Sequence, residues 1–148
     1  GYSNARLVVQ LAVDDTYILI ATREDRGDGV TFGDYMLSVI TPDFLEPNTP
    51  VENNMTNNDR HYYLIDAAEP FSLSYDRLSG QFSPAISVSR INDFQLSDIA
   101  TMNGDNLAGG MLNIHVEVPE IYVVALERAM FDFYFNAVSA DYLLIYTP

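Results

Sequence analysis

The sequence contains no cysteine, no tryptophan and no lysine. Without cysteine there is no disulfide, no thiolate nucleophile and no zinc–thiolate site, and the redox compartment leaves no trace. Positive charge is scarce. All seven basic residues are arginines, against 21 acids, for a formal net charge of −14. A field of that sign repels phosphate backbones, which argues against a general nucleic-acid binder unless the arginines gather on one face. The missing lysine has three readings: chance or codon bias, which is the default, a salt-adapted surface, or avoidance of ubiquitination. No apolar run reaches about 18 residues, so no transmembrane helix is expected. No signal peptide is visible, and Gly1 leaves room for a leader already cut away. No internal repeat or low-complexity segment stands out.

What is present is a globular composition. Of 148 residues, 48% are hydrophobic and 19% charged, enough for one domain over 1–148 with a sizeable core. Ten tyrosines and eight phenylalanines are many for this length. Most belong in a core, and a few in a cleft would suit stacking on a flat ring.

The pattern along the chain mixes periods. Residues 5–22 read as a hairpin, two β-branched runs around Asp14-Asp15. Residues 23–34 form a glycine-punctuated acidic loop with a short strand near Val30–Phe32, and 35–40 fit either helix or strand. Residues 41–60, with three prolines and five asparagines, read as one long loop. Strands are expected at 61–66, 85–90 and 111–118, the last with Leu112, Ile114, Val116 and Val118 on one face. Residues 70–80 read as a turn or short helix, and 94–102 have helical spacing at Leu96, Ile99 and Ala100. Tyr122, Leu126, Met130, Phe133, Ala137, Ala140 and Leu144 recur in steps of three and four, which predicts a buried central helix. The segment 141–146 fits a final strand equally well.

Motifs for chemistry are few. His61 and His115 stand alone in strand-like runs, and such histidines are usually structural, so no metal or cofactor is expected. Residues 25–34 have the acids and glycines of a calcium loop, but Gly27 and Gly29 fall where side-chain oxygens are needed. Arg26-Gly27-Asp28 is an adhesion-like tripeptide of little information. There is no Gly-x-Ser-x-Gly and no phosphate loop. Asn54-Met55-Thr56 is a glycosylation sequon, relevant only to a secreted eukaryotic chain.

Four segments in order resemble the ribosome-inactivating proteins, the rRNA N-glycosylases of plants and Shiga-type toxins: 11–23 (LAVDDTYILIATR), 70–80 (PFSLSYDRLSG), 85–102 (AISVSRINDFQLSDIATM) and 136–146 (NAVSADYLLIY). The resemblance implies stacking of a flipped adenine on tyrosine, a glutamate and an arginine one helical turn apart, and a ribosome or adenine-containing RNA as partner. Of that machinery Tyr75 matches one stacking tyrosine. Ala140 and Leu143 stand at the acid and arginine positions, and Ser139 and Asp141 are the nearest polar groups. The implied molecule is a catalytically impaired, divergent N-glycosylase, with Tyr75, Ser139 and Asp141 as candidate site residues.

The expectation is therefore an α+β domain, a mixed, mostly antiparallel sheet packed on a long apolar helix ending near residue 140. Two other readings stand beside the glycosylase: a non-enzymatic acidic module that binds a basic protein or mimics nucleic acid, and a secreted or surface structural domain.

Overall fold

The computed structural model describes residues 7–11, 13, 15–19, 37–56, 59–80, 84–92, 95–102, 108–128 and 139–148. The chain divides into two compact units, one formed by Gly1–Val9 with Pro42–Pro148, the other by Gln10–Thr41. The described residues of the larger unit build nine strands: β1 Asp43–Phe44, β2 Val51–Thr56, β3 His61–Ala67, β4 Phe71–Arg77, β5 Pro84–Asn92, β6 Gln95–Met102, β7 Gly109–Ile114, β8 Glu120–Arg128 and β9 Ser139–Thr147. They form a five-stranded sheet in the order β1-β3-β8-β5-β6 and a four-stranded sheet in the order β2-β9-β4-β7. All pairings are antiparallel except the short β1–β3 contact.

The two sheets face each other as a sandwich, and strand alternation explains why. Phe71, Leu73 and Tyr75 on β4, and Ala140, Tyr142, Leu144 and Tyr146 on β9, are buried while the residues between them are not. A period of two sends alternate side chains to one face, and that face is apolar in both sheets. Ile65, Ile86, Val88, Tyr122, Val124 and Leu126 of the five-stranded sheet join the same core. Phe71 is the main aromatic bridge. Its ring centroid lies 5.7 Å from Tyr122 across the core and 5.3 Å from Tyr146 beside it, both edge-to-face, an arrangement the ring quadrupoles favour.

Glycine sets two close approaches. Gly80, at φ 77°, turns the chain after β4 beneath Ser139 and Ala140, where any Cβ would collide with the Ser139 carbonyl. The Leu78 amide then donates to the Asp141 carbonyl at 2.8 Å. Gly110 on β7 lies against the flexible side chain of Met102 on β6, where the edges of the two sheets meet.

This architecture corrects the α+β expectation. No helix occurs among the described residues. The predicted central helix is β8 up to Arg128 and β9 from Ser139, and residues 129–138 lie outside the described residues. The physical reason is double burial. Tyr122, Val123, Val124, Ala125 and Leu126 are all buried, so β8 shows an unbroken apolar run instead of alternation, and such a run fits helix or strand alike. Residues 94–102 are likewise strand β6, and 70–80 hold β4. The supposed loop 41–60 contains β1 and β2. Strands expected at 61–66, 85–90 and 111–118 correspond to β3, β5 and β7, with β7 ending at Ile114. The described residues of 7–19 and 37–40 carry no strand or helix. The acidic loop with its short strand and tripeptide lies outside the described residues. In the smaller unit the Tyr17 hydroxyl donates to the Val13 carbonyl at 2.8 Å, and the Thr16 amide to Asp15 Oδ1 at 2.7 Å.

Candidate binding face

The outer face of the four-stranded sheet is formed by the residues that alternate with the buried ones of β4 and β9. Register places Glu52 of β2 beside Leu143 of β9, and Leu143 beside Asp76 of β4. At a strand spacing near 4.8 Å, the Glu52 and Asp76 backbones are roughly 10 Å apart with Leu143 between them. Two residues along β9, Asp141 stands beside Asn54. In the other direction, the next row holds Ile145, Ser74 and Met111, and the one after it Thr147, Ser72 and Asn113. Met111 is 60% exposed, and Glu52 and Asp76 are exposed. The result is a face on which half-buried Leu143 and Ile145 follow each other along β9 and exposed Met111 lies across Ser74 from Ile145, with small polar side chains and three acids around them. The outer side of the five-stranded sheet differs: Ser89, Val123 and Ala125 are buried there.

Asp141 is fixed within this face. Ser79 Oγ donates to Asp141 Oδ2 at 2.5 Å, and Asn54 Nδ2 to Oδ1 at 2.7 Å. These two donors hold its carboxyl below the usual carboxylate range, so it is charged at neutral pH.

Behind this face runs a chain of polar side chains, from exposed Asn53 on β2 through buried Tyr63 and Tyr142 to half-buried His61. The Asn54 amide donates to Asn53 Oδ1 at 2.8 Å, which fixes the Asn53 side chain. Asn53 Nδ2 therefore donates to the Tyr63 hydroxyl at 3.2 Å. The Tyr63 and Tyr142 hydroxyls are 2.7 Å apart, and the Tyr142 hydroxyl is 2.6 Å from His61 Nδ1. With Asn53 donating at one end, the consistent direction is Tyr63 to Tyr142 to His61, leaving Nδ1 as an acceptor and the imidazole neutral. Burial acts in the same direction and depresses His61 below the usual 6.5, opposed by the nearby Asp59 carboxylate. Burial and the bond to Tyr63 raise the Tyr142 phenol far above its ordinary value. This chain ties β2, β3 and β9 together across the core.

A cleft of about 400 Å³ opens elsewhere, lined by Arg90, Ile99, Ala100, Asn113, Glu117 and Tyr122 among others. Arg90 is ion-paired with Glu120 and lies 3.7 Å from Glu117. Its charge is matched by acids, so it presents no anion site. The Tyr122 hydroxyl donates to the Val118 carbonyl at 3.0 Å.

The three residues singled out from the sequence are not brought into one cleft. Tyr75 is buried in the core, its ring 6.1 Å from that of Tyr142. Ser139 and Asp141 lie on the opposite, outer side of the sheet, with Ser139 exposed. Asn54 of the sequon donates its amide to Asp141, and Met55 is buried. Sequence reading missed Glu52, Asp76, Leu143, Ile145 and Met111. Their signal was the alternation of FSLSYDR and SADYLLIYT, whose intervening positions define the outer face. Among the described residues no group of three His, Asp or Glu could hold a metal ion, and no helix is long and apolar enough to cross a membrane.

No protein-family model matches the sequence, and no curated protein does. Solved structures do match in shape. The pre-peptidase C-terminal domain of a collagenase from Bacillus anthracis superposes with a TM-score of 0.52 at 14% identity, over 72% of this chain and 95% of that one. PliG from Aeromonas hydrophila, a periplasmic inhibitor of g-type lysozyme, gives a TM-score of 0.46 at 12% identity, over 67% of this chain and 85% of that one. The collagenase domain supports the all-β fold, and at this identity the fold alone. The resemblance to the ribosome-inactivating proteins is overturned. The described residues are all-β, and the segment on which the glutamate–arginine pair was aligned as a helix is here a strand that turns alternate residues outward. The N-glycosylase activity and the ribosome or adenine-containing RNA as partner go with it.

Proposed function

We propose that this chain is a non-enzymatic binding module that recognises a basic partner protein on the outer face of its four-stranded sheet. The observation that supports the reading is the row Glu52–Leu143–Asp76 with Asp141 beside it, a half-buried leucine flanked by carboxylates in a chain of net charge −14. Such a face suits a segment that alternates arginine or lysine with leucine. The apolar residues would cover Leu143, Ile145 and Met111, and the cations would reach the three acids. Long-range attraction from the whole negative surface would speed encounter and make it salt-dependent. Fold likeness adds a scaffold and no function.

The experiment is a titration of the isotope-labelled chain with a synthetic peptide of alternating Arg and Leu, followed by amide shifts. The expected result is a set of shifts centred on Glu52, Asp76, Met111, Asp141, Leu143 and Ile145. A peptide with Glu in place of Arg should produce none. Shifts scattered over the surface, or affinity unchanged between 50 and about 500 mM salt, where the Debye length shortens to a few ångströms, would count against the reading.

A further inference from the structure

The cleft at the edge of the sandwich has a shape and a charge that the outer face does not use. β6 and β7 are the last strands of their sheets and lie beside each other. At one end the two edges meet, where Gly110 lies against Met102. A few residues further along they part, and the cleft of about 400 Å³ opens between Ile99 and Ala100 of β6 and Asn113 and Ile114 of β7. A bulge shapes this opening. Val88 of β5 faces Ala100 while its neighbour Ser89 faces Asp98, so Ile99 has no partner on β5. Ser89 Oγ donates to Asp98 Oδ1 at 2.6 Å and pins the strand beside the extra residue. A bulge on an edge strand re-aims a side chain and discourages further pairing. Here it leaves Ile99 40% exposed in the cleft wall.

The floor of the cleft is charged. Arg90 of β5 stands opposite Tyr122 of β8. Its guanidinium is ion-paired with Glu120, and both side chains are largely covered. Glu117 is different. It comes no nearer to Arg90 than 3.7 Å, and its side chain is 73% exposed. Two carboxylates thus share one guanidinium, so these three groups together carry a charge of −1. Glu117 keeps acceptor oxygens in reach of a ligand, and Glu120 offsets the like charge that Arg90 would present to a cation. The apolar walls suit a hydrocarbon stem that carries its charge at the tip.

We infer that this cleft seats one arginine or lysine side chain of the partner, its stem against Ile99, Ala100 and Ile114 and its head on Glu117. The inference rests on the reading of a basic partner and adds an anchor to it, a role in which a buried arginine commonly dominates an interface. The course of β7 links the two sites. Asn113 lines the cleft and also ends the outer row Thr147–Ser72–Asn113. It stands two residues beyond Met111, about 7 Å along the strand. A segment lying over Met111 therefore reaches the edge and can turn one basic side chain into the cleft.

The probe is N-acetyl-arginine N-methylamide, titrated into the isotope-labelled full chain beside its citrulline counterpart, which keeps the shape and lacks the charge. The expected result is saturable amide shifts at Ile99, Ala100, Ile114 and Glu117 with the arginine probe, and binding roughly threefold weaker or worse with citrulline. Glu117→Gln, an exposed substitution, should weaken the arginine probe by roughly threefold, as for an exposed ion pair. Ile99→Thr should weaken both probes alike, and circular dichroism of each variant should match that of the unaltered chain. The Arg-Leu peptide separates this inference from the outer-face reading, because Glu117→Gln should leave its shifts at Glu52 and Leu143 in place. Absence of arginine-probe shifts at the cleft while those peptide shifts persist overturns the cleft alone. Saturation of the cleft without peptide shifts at Glu52 and Leu143 supports the cleft and overturns the outer face. The inference is also overturned if citrulline binds as tightly as arginine, if Glu117→Gln changes nothing, or if the probe's shifts scatter over the acidic surface.

Discussion

Replacing Tyr142 by phenylalanine removes one oxygen from the chain Asn53–Tyr63–Tyr142–His61 and nothing else. Tyr142 is buried, and its hydroxyl links to Tyr63 at 2.7 Å and to His61 Nδ1 at 2.6 Å. The variant loses two hydrogen bonds, each worth about 1 kcal/mol net, and leaves the Tyr63 proton and the His61 nitrogen without their partners at a further cost of about 1–2 kcal/mol. The sum is roughly 3–4 kcal/mol, or a fall in Tm of roughly 12–16 °C at about 4 °C per kcal/mol for a unit of this size. Urea unfolding followed by far-UV circular dichroism reads it, since the chain has no tryptophan. The pH dependence sharpens the test. The folded-state pKa of His61 is depressed below 6.5, the value expected in the unfolded chain. Below 6.5 the unfolded state binds more protons, so stability is fully present above 6.5 and falls as pH drops from there towards the folded value. Donation by Tyr142 favours the neutral ring, so the variant should show a weaker acid-side loss, and the gap between the two proteins should narrow from pH 7 to pH 5. A difference under about 1 kcal/mol at pH 7, or a gap that does not change with pH, would refute donation from Tyr142 to His61.

Other outcomes follow from the same geometry. Leu144→Ala deletes a fully buried side chain and should cost about 2–5 kcal/mol, while Leu143→Ala, its outward-facing neighbour, should cost under about 1 kcal/mol, as measured by denaturant midpoints. Gly80→Ala must leave a positive φ and clears no space beneath the Ser139 carbonyl, so it should destabilise by more than about 1 kcal/mol in the same assay. Asp141→Asn should leave the fold intact by circular dichroism and weaken the Arg-Leu peptide by a few-fold at low salt, an effect that fades at high salt.

How far the fold was legible depended on which strands keep their alternation. HYYLID and AISVSR sit on strands with one core face, and their period shows. FSLSYDR alternates just as cleanly in Phe71, Leu73 and Tyr75, yet the prolines and glycines near it suggested a turn. VENNMT sends only Val51, Asn53 and Met55 inward, so an edge strand rich in asparagine read as loop. EIYVVALER lost its period because both faces are buried, and coincidental steps of four, Tyr122 to Leu126, completed a helix that does not exist. The polar Ser139-Ala140-Asp141 patch is explained by the sheet. Ala140 is small because Gly80 packs against it, and the two neighbours face outward. The candidate face was illegible for a different reason. Glu52, Asp76, Met111 and Leu143 come from four strands, and only the order β2-β9-β4-β7 makes them neighbours.

The most direct measurement of the central claim compares two triple variants of equal charge. Glu52→Gln, Asp76→Asn and Asp141→Asn neutralise the outer face of the four-stranded sheet. Asp43→Asn, Asp66→Asn and Glu69→Gln remove the same charge from exposed acids outside it. With Kd for the Arg-Leu peptide read by calorimetry at low salt, the first should bind roughly tenfold more weakly than the unaltered chain, from three exposed ion pairs of a few tenths of a kcal/mol each. The second should lose no more than about twofold. Equal losses would mean that net charge alone attracts the peptide and that the sheet face is not the binding site.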